Sequence, residues 1–293
     1  MLLFILIRII YFGGTMDHTH LENNTSYIAS QDLLDAVNIA VTLQKPLLVK
    51  GEPGTGKTML AHAVAETMNK PLYIWNIKST TKAQDGLYTY DVVQRLYDSQ
   101  FGENVDDISQ YIHYGKMGEA FMANEQVILL IDEIDKADLE FPNDLLWEMD
   151  QMEFYVKETH QTIRAKQRPI VIITSNAEKE LPDAFLRRCI FHYIEFPNPD
   201  QMKKIIHAHF DHIDDELVKQ TMDTFYRIRD VKNISKRPST SELIDWLRAL
   251  IAGGVDPATI RKNLPYSGVI LKKDQDIALV EKEFHPNIRR HVR

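Results

Sequence analysis

The sequence predicts an α/β fold: a five-stranded parallel sheet with helices on both faces, followed by a small all-helical unit. Three observations carry this. Five short apolar runs, PLLVK, PLYIWNI, QVILLID, RPIVIITSN and IFHYIEFP, alternate with helical or polar segments, the pattern of a parallel sheet covered on both faces. The first of them runs straight into a glycine-rich turn and a helix. After Pro197 and Pro199 the strand-like runs stop and helical periodicity takes over.

Each element follows in order. QDLLDAVNIAVTL, from about Ser30, has the apolar spacing of an amphipathic helix, and PLLVKGEPGTGKT reads as a strand entering a tight turn. TMLAHAVAETMN continues as a helix and PLYIWNI as the second strand. The stretch from KSTTKAQ to MANE is too long for a simple crossover and must hold a helix plus an insertion. QVILLIDEID is the third strand. MEFYVKETHQTIRAKQ alternates about a polar centre at Glu158 to Gln161, as a β-hairpin does. RPIVIITSN and IFHYIEFP complete the sheet. DQMKKIIHAHF, DDELVKQTMDTFYRIRD and STSELIDWLRALIAGG then form the helical unit. The expected boundaries are an extension over 1–26, an α/β domain over 27–197, a helical lid over 198–254 and a polar tail over 255–293.

Composition narrows the function classes. With 44% apolar and 26% charged residues in 293, the chain has the make-up of an ordinary globular protein with ample core. A formal net charge of −8, with no long run of lysine and arginine, gives no electrostatic footprint for nucleic acid. The one cysteine, Cys189, cannot form an internal disulfide, which suits a reducing cytoplasm, and its strand-forming neighbours mark it as a buried thiol. The opening MLLFILIRII carries Arg8 and falls short of the roughly 20 residues a spanning helix needs, so no stable membrane insertion is expected. It lacks the pattern of a secretory signal and reads as an upstream extension, with Met16 an alternative start.

The chemistry is concentrated in three places. GEPGTGKT satisfies G-x-x-x-x-G-K-[ST] in full, between a strand and a helix where that motif must lie. The bare pattern arises by chance in roughly one chain in a hundred of this length. Gly51, Gly54 and Gly56 allow the tight turn that lets backbone N–H groups converge on phosphate oxygens, with Glu52, Pro53 and Thr55 between them and Met59 just beyond. Lys57 is expected to reach the β- and γ-phosphates of ATP, and Thr58 to hold Mg²⁺ through its hydroxyl.

ILLIDEID puts Asp132 and Glu133 at the C-terminal end of a buried strand, where open α/β sheets place their ligands. Asp132 is the expected partner of Mg²⁺, and Glu133 the group that orients and polarises the attacking water. Asp135 reads as a turn or cap. Asn176, after Thr174 and Ser175, closes the next strand and is placed to bond the γ-phosphate or the water.

LPDAFLRRCIFHYIEF sets Arg187 and Arg188 ahead of an apolar strand; taken alone they are cations at a helix C-terminus. His207, His209 and His212 do not converge at helical spacing, so no metal site is expected from them. Tyr88, Tyr90 and Tyr97 read as packing residues.

GEPGTGKT, ILLIDEID, TSN and AFLRR, in this order on this strand plan, resemble an AAA+ ATPase from about Tyr27 to Leu250. The long insertion and the hairpin before TSN resemble the helix-2-insert clade. Within that clade, KGEPGTGKTMLA, KSTTKAQDGLY, LIDEIDKADLEFPNDLL and RPIVIITSNAEKELPDAFLRRC are similar to MoxR-type ATPases. The resemblance implies that Asp132 and Glu133 form the Walker B pair and that Asn176 is sensor 1. It implies that Arg188, with Arg187 as fallback, is an arginine finger acting on the neighbouring subunit's γ-phosphate. Tyr27 and Ile28 would lie near adenine. The usual sensor 2 position holds Ser241, leaving Arg237, about one helical turn earlier, as its substitute. The family's habits imply a homo-oligomer, typically a hexameric ring. They also imply a von Willebrand A-domain partner and a client protein or metalloenzyme that is matured or activated. A nucleic-acid-dependent AAA+ motor is the alternative.

Overall fold

The computed structural model describes residues 27–102 and 104–284, so the expected extension, with Met16 and the apolar MLLFILIRII, lies outside the described residues. The chain divides into two compact units. One holds the described residues up to Gly51 and Gly56–Ile194; the other holds Glu52–Thr55 and the described residues from Glu195 onward.

In the first unit, helix α1 (Gln31–Leu43) leads into strand β1 (Leu47–Gly51), helix α2 (Lys57–Met68) and strand β2 (Leu72–Asn76). The long insertion folds as a small antiparallel pair, β3 (Tyr88–Tyr90) with β4 (Ile112–Tyr114), joined through helix α3 (Val92–Gln100) and followed by helix α4 (Lys116–Met122). Strand β5 (Ile128–Asp132) precedes two short helices, α5 (Phe141–Asp144) and α6 (Leu146–Gln151). The hairpin of β6 (Glu153–Val156) and β7 (Gln161–Arg164) follows. Strand β8 (Ile170–Ser175), helix α7 (Asp183–Leu186) and strand β9 (Ile190–Ile194) complete the unit. The sheet order is β2-β5-β8-β1-β9, with every neighbouring pair parallel.

Burial explains why these strands read as unbroken apolar runs. Every residue of β5 and β8 is buried. Ile128 and Leu130 pack with Leu33 and Val37 of α1 and Leu60 and Val64 of α2; their neighbours Leu129 and Ile131 pack on the other face with Trp75, Phe121, Phe154 and Phe185. A strand covered on both faces has no solvent-facing position at which a polar residue would do better. Each large apolar side chain so buried contributes about 1.5–3 kcal/mol. The consequence for chemistry is positional: the rigid centre of the sheet delivers Gly51, Asp132 and Ser175 to the same end of three adjacent strands.

The second unit contains helices α8 (Pro199–His209), α9 (Asp215–Arg229), α10 (Thr240–Ala252), α11 (Pro257–Asn263) and α12 (Asp274–Phe284). Asn198, Asp214 and Ser239 cap the first three by accepting from the backbone N–H groups of Gln201, Leu217 and Glu242. Its core joins Met202, Phe225, Leu243 and Trp246 to Ile260, Leu271 and Val280. The last three lie in the segment from 255 onward, expected as a polar tail; its described part, to Phe284, supplies core to the helical unit. Its first helix is only 7 residues long and gives way at Pro265 to an irregular stretch, so no continuous apolar period announces the segment. Among the described residues no helix is long and apolar enough to cross a membrane.

Candidate active site

β1 ends at Gly51 and α2 begins at Lys57, so GEPGTGKT is the turn between a buried strand and a helix N-terminus. Gly54 and Gly56 are required by backbone geometry, with φ of 76° and 87°. A Cβ on Gly56 would meet the Tyr27 ring at 3.1 Å, and one on Gly54 would meet the Ser239 Cβ at 2.5 Å. Lys57 is buried, with Nζ donating to the Gly51 carbonyl at 2.9 Å, and the Thr55 hydroxyl donates to the Glu52 carbonyl at 2.9 Å. Pro53 and Met59 are exposed. Free N–H groups and a positive dipole end make such a helix start a natural anion site.

The Asp132 carboxylate at the end of β5 stands beside the start of α2. The Thr58 hydroxyl donates to the Asp132 carboxylate, 3.0 Å from Oδ1 and 3.2 Å from Oδ2. The Thr174 hydroxyl donates to Asp132 Oδ1 at 2.6 Å and accepts from the Glu133 N–H at 2.8 Å. Glu133 leaves the strand in the left-handed region, with φ 60° and ψ 51°. Its Oε1 accepts from Asn176 Nδ2 at 2.8 Å and its Oε2 from the Lys136 ammonium. That bond to Glu133 holds the Lys136 pKa above its ordinary value. Asp135 is nearly sealed from solvent and accepts from the backbone N–H groups of Asn176 and Glu178 at 3.2 and 2.9 Å, bracing the loop that carries Asn176. Thr58, Asp132, Glu133 and Asn176 are thus drawn into one hydrogen-bonded line.

The family model described as "ATPase family associated with various cellular activities (AAA)" matches residues 47–198, just over half of the chain. The chain belongs to the AAA ATPase family. It is 25% identical over 135 residues to midasin of Dictyostelium discoideum, covering 42% of this chain and 2% of that protein. It is 29% identical over 170 residues to a 26S proteasome regulatory subunit homolog of Methanothermobacter thermautotrophicus, covering 54% of this chain and 37% of that one. The chain therefore spans well under two thirds of the length of the curated relatives it matches.

In this AAA ATPase the remaining site candidates are placed differently from one another. Arg188 is half-buried, with Nε donating to Asp150 Oδ2 at 2.7 Å and Nη1 to the Ala184 carbonyl at 2.8 Å. Arg187 is exposed. Tyr27 packs against the cluster between α1, α2 and the sheet, and burial pushes its phenol well above the usual value; Ile28 is exposed. Burial likewise pushes the Cys189 thiol up to about 12. Arg237 is exposed and makes no hydrogen bond or ion pair among the described residues.

A different arginine, Arg229, joins the helical unit to the turn residues that group with it. Its guanidinium lies 3.3 Å from the centroid of the Phe196 ring, donates to the Pro238 carbonyl, and donates to Glu52 Oε2 at 2.6 Å. No local pattern in FYRIRD distinguishes Arg229 from Arg227. Lys136 carried a fainter signal, since a lysine three residues after Glu133 is one helical turn away.

Proposed function

We propose that the chain hydrolyses ATP as a ring-forming, MoxR-type remodelling ATPase. The observation that carries this reading is the continuous hydrogen-bonded line from Thr58 through Asp132 and Glu133 to Asn176, starting on the residue that closes a complete phosphate-turn motif. The turn and Lys57 bind the phosphates of ATP. Water attacks the γ-phosphorus while the bond from that phosphorus to the bridging oxygen breaks, its electron pair leaving on ADP, and Glu133 orients the water and accepts the proton it loses. Among the described residues each Glu133 oxygen accepts one side-chain hydrogen bond, from Asn176 or Lys136, and retains a lone pair for that purpose. Asn176 thus fixes the direction in which the carboxylate faces.

The residues fit Mg²⁺. Asp132 is a buried carboxylate with no ion-pair partner among the described residues, beside the Thr58 hydroxyl, and this all-oxygen pair suits a hard divalent cation that completes its shell with phosphate and water. Bound there, the ion would neutralise charge on the phosphates. Arg188 serves as the finger toward a neighbouring subunit in a homo-oligomer, a hexamer by resemblance. A von Willebrand A-domain protein and a client protein or metalloenzyme are the proposed partners, in the cytoplasm.

Glu133→Gln tests the catalytic assignment. Gln preserves shape and the acceptor for Asn176 while removing the carboxylate, so ATP binding should stay within about threefold and kcat should fall about 10²- to 10⁴-fold. Hydrolysis near the wild-type rate would sink the assignment. Stimulation of the wild-type rate by an A-domain protein supports the chaperone reading, and stimulation by DNA or RNA at physiological salt would replace it with the motor.

A further inference from the structure

We propose that Thr174 is a positioning residue for hydrolysis, its single hydroxyl aligning the Asp132 carboxylate and the Glu133 backbone together. The inference rests on the roles assigned to Asp132 and Glu133 and adds what holds them in register.

Thr174 lies next to the end of β8, paired with Val49 of β1 and fully buried. The preceding residues, Ile170 to Ile173, are all apolar and buried, so packing alone would favour valine, which has the same branched shape. A hydroxyl taken out of water at such a place is unfavourable unless bonded. Here it is bonded twice, and both bonds lead to the proposed chemistry. Its hydrogen goes to Asp132 Oδ1 at 2.6 Å, and a lone pair receives the Glu133 N–H at 2.8 Å.

The second bond matters because of the backbone it holds. Glu133 at φ 60° occupies a region that side-chain-bearing residues avoid, so its conformation must be imposed by surrounding contacts. Thr174 fixes its N–H, while Asn176 and Lys136 fix its carboxylate. The first bond matters because Asp132 Oδ1 also receives Thr58. The one oxygen atom of Thr174 therefore ties the carboxylate that would hold Mg²⁺ to the backbone of the residue that would orient the water, without itself being assigned a contact with substrate. Valine would leave the Glu133 N–H without its partner and deprive Asp132 Oδ1 of one of its two hydroxyl donors, loosening the register between the two acidic residues. Misplacement on the scale of an ångström is enough to cost about 10²-fold in rate.

The test compares Thr174→Val and Thr174→Ser in the full chain, with Glu133→Gln and Lys57→Ala as references. Thr174→Val should lower kcat about 10- to 100-fold while leaving KM for ATP within about threefold. Thr174→Ser, which restores the hydroxyl, should return kcat to within about threefold of wild type. A purely structural residue would lower the thermal midpoint without this split and without rescue by serine. Wild-type kcat in Thr174→Val, or a serine variant as slow as the valine one, overturns the proposal. If valine prevents folding, Thr174→Ala, which lacks the hydroxyl and adds no bulk, is judged by the same criteria. The references separate two failures. If they are inactive and Thr174→Val is not, this inference alone falls; if they hydrolyse normally, the underlying assignment falls with it.

Discussion

Replacing Arg229 by methionine should destabilise the helical unit by about 1.5–4 kcal/mol, a figure that follows from what the guanidinium touches. Arg229 is nearly sealed from solvent, stacked 3.3 Å from the Phe196 ring centroid, and bonded to the Pro238 carbonyl and to Glu52. The stack of a desolvated guanidinium on an aromatic face contributes about 1–2 kcal/mol. Leaving the Pro238 carbonyl without its donor costs about 1–2 kcal/mol. Glu52 is about a third exposed and can rehydrate, so its share is cut to about 0.5–1 kcal/mol. Methionine refills part of the space and offsets roughly 1 kcal/mol. At about 2–4 °C per kcal/mol, Tm should drop roughly 3–16 °C, read by calorimetry on the full chain. Arg229→Lys, which keeps the charge but not the planar fork, should recover less than half of the loss. Because Glu52 belongs to the phosphate turn, KM for ATP should also rise. A Tm within about 1 °C of wild type for the methionine variant would refute the reasoning.

Two further outcomes follow from the geometry. Arg188→Ala and Lys57→Ala subunits, each inactive, should regain part of the hydrolysis rate when assembled into mixed rings, because one supplies a bound nucleotide and the other a finger; absence of recovery in rings shown to be mixed counts against action in trans. Burial alone would raise the pKa of Asp276, but the Ser235 and Lys236 backbone N–H groups, the Ser235 hydroxyl and the nearby Lys273 together hold it below the ordinary carboxylate value. A depressed folded pKa gives stability that is present above the unfolded value near 3.9 and is lost as pH falls toward the folded one. The stability gap between wild type and Asp276→Asn should therefore shrink between about pH 5 and pH 3, and a gap that stayed constant over that range would contradict the assignment.

The parts of this molecule that were legible beforehand are those where one physical demand acts on consecutive residues. β5 and β8 are buried on both faces, so each position repeats the same requirement and the run announces itself. The phosphate turn is legible for the opposite reason, since glycines at positive φ and a lysine at a fixed spacing satisfy several demands within eight residues. The hairpin of β6 and β7 was visible through its alternation, whereas Asp135, expected as a local turn or cap, instead accepts from the backbone N–H groups of Asn176 and Glu178 more than 40 residues on. What could not be read is whatever depends on a single contact across a long stretch of chain. Asp150 meeting Arg188, Arg229 meeting Glu52, and the helices after 255 closing on Trp246 each rest on residues whose neighbours in sequence carry no trace of the partner. Thr174 lies between these cases. Its neighbours gave the strand and its type gave a polar residue near the strand end, yet its two bonds reach 42 and 41 residues back to Asp132 and Glu133. A buried hydroxyl interrupting an apolar run is therefore a readable mark of a remote partner even when the partner is not, because the desolvation it incurs must be met by something. In this chain what meets it is the pair of acidic residues on which hydrolysis is proposed to depend.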